Sequence, residues 1–236
     1  MTDGTPLQHL IHGLPAAFAA APRPTALDAC PCCTRPAELS VLLHTPRERL
    51  TADELTYYAT SVLNTVGSPA DFRYFAPRIL QLALTTELTV PDLELVGNKL
   101  ARAGWQEWPE AGYLRRLLDA LWVDVLHNAD EWWDAEAVLC ALAAAGDRAP
   151  AAFTGRLAEW ELLVTPVAVE RLYEFAVSGG LEPQNAFWDR QGAPYQAFVD
   201  WLRGPGLQLA VESAILRVDD PTQLEQLITV HDILTT

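Results

Sequence analysis

Basic residues are scarce in this chain of 236 residues: sixteen Lys and Arg stand against 31 Asp and Glu, for a formal net charge of −15. Such a field repels phosphate backbones, so direct nucleic-acid binding is not expected. Residues 1–50 carry four charges of each sign, and the whole acidic excess therefore falls on residues 51–236. No Lys or Arg lies between Arg116 and Arg148, while Asp119, Asp124, Asp130, Glu131, Asp134, Glu136 and Asp147 accumulate there. Lysine occurs once, at Lys99, after "VGN" and without a glycine-rich loop, so there is no phosphate-cradling P-loop. The patterns G-x-G-x-x-G, G-x-S-x-G and H-E-x-x-H are missing too, and with them the common nucleotide, acyl-transfer and zinc-protease sites. No apolar run reaches the ~20 residues that a membrane helix needs. The N-terminal "LQHLIHGLPAAFAAAP" has no basic leader and is interrupted by Gly13 and Pro15, so it reads as mature protein. The cytoplasm is the expected location, with no membrane association.

Alternating apolar and polar stretches are also missing, whereas apolar residues recur at helical spacing almost throughout, and half of all residues are apolar. The chain is expected to be all-α. Helix starts are well marked: Thr51 with Glu54 forms a capping box, and Pro69, Pro91, Pro109, Pro150, Pro166 and Pro221 sit where a first-turn proline belongs, the last behind Asp220 as cap. "LNTVG" (63–67), "LARAG" (100–104) and "LAAAG" (142–146) share L-x-x-x-G, and "FAVSG" (175–179) repeats it with an aromatic. A proline follows each glycine within two to five residues. Glycine at the end of a helix takes the left-handed conformation that stops it, and proline pre-sets the next first turn. Helix, tight turn and helix at such a period predict hairpins stacked as an irregular HEAT- or armadillo-like α-solenoid, with a compact all-α bundle as the alternative. Residues 1–50 read as a helical, cysteine-containing N-terminal cap, and residues 51–236 as the helical-repeat region continuous with it. The segment 207–234, which lacks the glycine, reads as the C-terminal end of the array, and Pro77 is expected to bend or break the helix that contains it.

Three of the four cysteines, Cys30, Cys32 and Cys33, crowd four positions before a helix expected to start at Pro36. They admit three readings: a packing device, a redox couple or a metal site. For metal, with zinc as the first candidate cofactor, Cys30 and Cys33 are the firmest ligands because a two-residue gap suits tetrahedral chelation. Cys32, His12, His44 and Cys140 are the available completions, and none stands at a diagnostic offset. A helix N-terminus near the thiols is expected to favour the thiolate.

The run "RPTALDACPCC" (23–33), the helix "DFRYFAPRILQLAL" (71–84) and "NKLARAGWQEWPE" (98–110) with "LLDALW" (117–122) resemble an uncharacterised family of bacterial all-α proteins. The resemblance spans about residues 20–145. It implies that the cysteine run and the proline-bearing helix belong to one shared design, and it supplies no catalytic residue.

Nothing else nucleates an active site. The five histidines are scattered, and His127 reads as a cation closing a helix. Carboxylate pairs are too abundant to single one out. The function expected from charge is therefore non-enzymatic: a helical-repeat protein that binds a protein partner, one with a basic surface, in an oligomeric state that the sequence leaves open. Trp132 and Trp133, with Asp130, Glu131 and Asp134, are the candidate partner-binding residues, since acid beside indole suits an Arg- or Lys-rich segment. The competing expectation for tryptophans at helix junctions is a buried wedge whose N–H finds an acceptor. The alternative function is a thiol-dependent metal-binding or redox protein built on the cysteine run.

Overall fold

A computed structural model describes residues 4–85, 87–88, 90–129, 133–146 and 150–236. All regular structure among them is helical: α1 Pro6–Ala17, α2 Pro36–His44, α3 Ala52–Ser61, α4 Pro69–Leu84, α5 Leu93–Arg102, α6 Ala111–His127, α7 Ala135–Ala144, α8 Pro150–Glu161, α9 Pro166–Gly179, α10 Ala193–Arg203, α11 Pro205–Ile215 and α12 Pro221–Leu234. Single 3₁₀ turns lie at Arg47–Arg49 and Trp105–Glu107. The chain is all-α, and none of the described helices is long and apolar enough to cross a membrane.

Helix starts follow the predicted chemistry. Thr51 accepts from the Glu54 N–H while the Glu54 carboxylate accepts from the Thr51 N–H at 2.9 Å. Pro69, Pro150, Pro166 and Pro221 each open a helix, and Asp220 caps the last by accepting from the Gln223 N–H at 2.9 Å. Pro91 and Pro109 instead stand two residues ahead of their helices, in the connections. Helix α4 runs through Pro77 unbroken. Gly104 and Gly146 take the left-handed conformation after α5 and α7, at φ 69° and 68°. After α9 it is Gly180 that does so, one residue later than the repeat predicts. After α3 the position is filled by Leu63 at φ 64°, and Gly67 lies at the end of the loop instead. There the repeat marks a loop that has its own architecture.

The chain divides into two compact units. One runs to Ala120 and takes in Ala144–Gly146; the other comprises Leu121–Ala143 and Asp147–Thr236. The division falls within α6, and residues 1–50 lie in the first unit. In that unit α4 is buried on nearly every face, through Phe72, Phe75, Ala76, Ile79, Leu80 and Leu82 among others, and α1, α3 and α5 pack around it. Two cations lock the arrangement. Arg47, 5% exposed, donates to the carbonyls of Phe18 and Tyr74 at 3.0 and 3.1 Å. Arg73 on α4 pairs with the buried Glu110 in two parallel bonds of 2.9 and 2.7 Å.

The second unit is built on aromatics. The Trp160 indole stacks on Trp201 with centroids 5.4 Å apart and meets Trp122 edge-on at 5.7 Å; Phe175 and Phe198 extend the cluster. Buried indole N–H groups find acceptors, Trp122 on Arg156 and Trp160 on Ala168, and in the first unit Trp105 on Ala145. Of the extensive helix pairings, α9 with α12 and α1 with α4 join elements distant in sequence, while α11 with α12 joins successive ones. A stack in which each repeat touches only its neighbours does not call for the first two of these pairs, and accounts for the third.

Candidate metal centre

The cysteine run is mounted on the loop between α3 and α4. Val62 and Leu63 end α3, and the left-handed Leu63 turns the chain so that its N–H meets the Val66 carbonyl at 3.1 Å. The returning strand-like segment then pairs with the residues just ahead of the thiols. The Cys30 N–H donates to Thr65 at 2.8 Å, the Gly67 N–H donates to Asp28 at 2.7 Å, and Ala29 faces Val66 across an antiparallel bridge. Beyond Cys30 the chain folds into a tight turn, with the N–H groups of Cys33 and Thr34 both donating to the Cys30 carbonyl at 3.1 Å. Tyr57 on α3 closes the far side: its hydroxyl donates to the Cys33 carbonyl at 2.8 Å and lies 2.8 Å from the Thr34 hydroxyl. Each end of the turn is thus held by hydrogen bonds to a separate piece of the first unit.

The loop itself is clamped from behind by α5. The Nζ of Lys99, a residue 1% exposed, donates to the Val62 carbonyl at 2.6 Å. Arg102 donates to the Leu63 carbonyl and to Asn64 Oδ1, both at 2.8 Å. Burial, with the Arg102 charge adding to it, lowers the Lys99 ammonium from 10.5 to about 8.

On this mount the three sulfurs converge. Cys30 Sγ lies 2.8 Å from Cys32 Sγ, Cys32 Sγ lies 3.4 Å from Cys33 Sγ, and all three fall within 4.8 Å of one another. Cys30 is half-buried, and Cys32 and Cys33 are exposed. The thiols are unequal. Hydrogen bonding from Cys32, with Cys33 adding to it, holds Cys30 below its ordinary value. Cys32, whose proton is shared with both neighbours and whose thiolate they would repel, is pushed up to about 11. The depression at Cys30 therefore comes first from the adjacent thiol; the terminus of α2 lies beyond Thr34 and Arg35.

The sequence-derived ligands divide accordingly. Cys30, Cys32 and Cys33 are brought together, with Cys32 a full member of the cluster. His12, His44 and Cys140 do not join any group of three ligating residues among the described residues. His12 and His44 turn their Nδ1 atoms to the Gln8 and Ser40 carbonyls of their own helices, and Cys140 is buried in α7. Of the partner-binding candidates, Asp130, Glu131 and Trp132 lie outside the described residues. Trp133 is 5% exposed, so it is a core residue and not a surface contact. Asp134 accepts from the Ala137 N–H at 3.0 Å as the cap of α7.

No family model, curated protein or solved structure matches this chain. The geometry of the site has to carry the reading. Tyr57, Lys99 and Arg102, the residues that build the mount, were not singled out as site residues from the sequence. Lys99 alone offered a signal: a single lysine three residues from Val96 and one from Leu100 on the apolar face of a helix, where a charge has to find a partner.

Proposed function

We propose that this chain binds a thiophilic metal ion, zinc first, through the sulfurs of Cys30, Cys32 and Cys33. The observation behind the reading is the convergence of three sulfurs within 4.8 Å on a turn held at both ends by hydrogen bonds. Thiolates select soft and borderline cations such as Zn²⁺ and Cu⁺. Around a tetrahedral zinc, with bonds of about 2.3 Å, ligating sulfurs stand roughly 3.8 Å apart. The Cys30–Cys32 and Cys32–Cys33 separations are tighter than that, and side-chain rotation on the turn would have to open them. Binding requires loss of the thiol protons, and Cys30, with its lowered value, is the first to give one up.

Three protein ligands leave one position of a tetrahedral ion for an outside group, and two of the three cysteines are exposed. An ion held so is accessible from solvent. That suits capture and hand-over better than a permanent structural role, for which the cores of both units leave little need. Elemental analysis of the purified full chain tests the reading: about one zinc or copper per chain is expected, lost in Cys30→Ser and in Cys33→Ser and retained in His44→Ala. A chain that takes up no thiophilic ion on titration, with thiols reacting like those of free cysteine, ends it.

A dithiol–disulfide couple is the second reading, favoured by the 2.8 Å contact between two thiols of opposite tendency. The Cys30 thiolate would attack, and formation of the bond would deliver two electrons and two protons to a disulfide or peroxide oxidant. Recognition of a basic protein partner, expected from charge, has no comparable constellation of described residues behind it.

A further inference from the structure

In the second unit a cleft of about 290 Å³ opens between the start of α7 and the end of α9, covered by the segment that follows Gly180. Glu136 stands in its wall and is 8% exposed. Its Oε1 accepts from the Asn185 backbone N–H at 2.8 Å and from the Trp188 indole N–H at 2.9 Å, which fixes the carboxyl group in place. Among the described residues no Lys, Arg or His lines the cleft. Burial, with the like charge of Asp134 adding to it, pushes the carboxyl group up against the opposing hydrogen bonds from Asn185 and Trp188. A carboxylate removed from water with no cation beside it is costly, and natural proteins pair such groups or use them to hold a ligand. The rest of the lining suits an alkyl chain ending in a polar head: Phe175, Ala137 and Gly179 offer an apolar floor, and Ser178 and Gln184 polar walls.

We propose that this cleft is a binding site for an organic cation, the guanidinium or primary ammonium head of an alkyl chain, paired with the carboxylates of Glu136 and Asp134. A metal ion is the poorer fit. Two carboxylates supply too few ligands, and among the described residues the sole group of three or more close His, Cys, Asp or Glu ligands is the thiol cluster. A guanidinium instead matches two carboxylates by direction as well as charge, and its planar fork loses little freedom on binding. The head could belong to a free metabolite or to a side chain of a peptide; the chemistry is shared.

The test is calorimetric titration of the full chain with agmatine, with an acetylated and amidated Gly-Arg-Gly peptide, and with n-butylurea as an uncharged analogue of the guanidinium-bearing chain. Saturable binding of agmatine or of the peptide is expected, and not of the urea; tighter binding of the peptide than of agmatine would identify a chain segment as the source. Glu136→Gln keeps an acceptor for Asn185 and Trp188 while removing the charge, and should weaken binding by roughly tenfold or more. Asp134→Asn keeps the cap of α7 and should weaken it by a smaller factor. Thermal melting confirms that both variants fold. Any one of four results overturns the proposal: no saturable binding of either cation, equal binding of the urea, wild-type affinity in Glu136→Gln, or tight uptake of Ca²⁺ that this substitution abolishes.

Discussion

Replacing Lys99 with Met keeps a stem of similar length in the core of the first unit and removes the ammonium group that clamps the thiol loop. Its effect should depend on pH in a way that few surface substitutions do. The ammonium titrates at 10.5 when free and at about 8 when folded. At 1.36 kcal/mol per pH unit, that displacement corresponds to a burial penalty on the order of 3 kcal/mol. Below pH 8 both states hold the proton and the penalty is in force throughout. Between pH 8 and 10.5 the folded chain releases the proton while the unfolded chain keeps it, so stability rises with pH. Above 10.5 both are neutral and the penalty is gone, yet the amine still donates to Val62.

Met at this position carries no such penalty but leaves the buried Val62 carbonyl without its 2.6 Å donor, which costs about 1–3 kcal/mol. At pH 7 the two effects nearly cancel, and the variant should unfold within about 1–2 kcal/mol of the parent. At pH 10.5 the parent should be the more stable by about 1–3 kcal/mol, the full value of the missing hydrogen bond. Urea unfolding of both proteins at half-unit steps from pH 7 to 10.5 measures this directly. Cysteines and tyrosines titrate in both, so their contributions drop out of the difference. A stability difference that stays constant over this range would show that Lys99 is not a desolvated cation, and the clamp would lose its electrostatic basis.

Other substitutions probe the remaining supports. Arg73→Met leaves the Glu110 carboxylate, 5% exposed, without its two donors, and should cost about 3 kcal/mol by urea unfolding; adding Glu110→Gln should recover part of that loss. Gly104→Ala meets no atom within 4 Å, so its cost should be that of the left-handed backbone alone, about 1 kcal/mol in thermal unfolding. Tyr57→Phe removes the donor to the Cys33 carbonyl and should lower zinc affinity at the thiol cluster by several-fold while changing stability by about 1 kcal/mol. Unchanged zinc affinity in that variant would mean that the turn is rigid without its α3 contact.

Local chemistry was readable where a residue acts on its immediate neighbours. The Thr51–Glu54 box, the first-turn prolines of α4, α8, α9 and α12, and the Asp220 cap all act within one helical turn, so their spacing in the sequence is their geometry. The glycine repeat marked left-handed residues at Gly104 and Gly146, fell one residue short of Gly180 after α9, and after α3 marked a left-handed Gly67 at the far end of a loop, with Leu63 nearest the helix. A leucine held in the left-handed region has no signature in a sequence; here it opens a loop whose far side, residues 65–67, pairs with residues 28–30. The choice between stacked hairpins and compact units turns on which apolar faces meet, and α1 against α4 leaves no mark in either segment alone.

The thiol cluster illustrates the same boundary. Three cysteines in four positions announce a site, but a run of thiols on a free turn would have many conformations and a weak grip on any ion. What makes this run a plausible ligand set lies elsewhere in the chain: Tyr57 on α3, Thr65 and Gly67 in the following loop, and Lys99 and Arg102 on α5. These residues share no motif and are spread over more than forty positions, each ordinary in its own segment. Their common property is that each bonds to a backbone group of the turn or of the loop that carries it. Ordering the turn costs conformational entropy for each residue fixed, and in this chain that cost falls on folding rather than on metal capture. Affinity at the cluster should therefore respond to substitutions behind the loop, 35 or more residues away in sequence, as well as to loss of the sulfurs themselves.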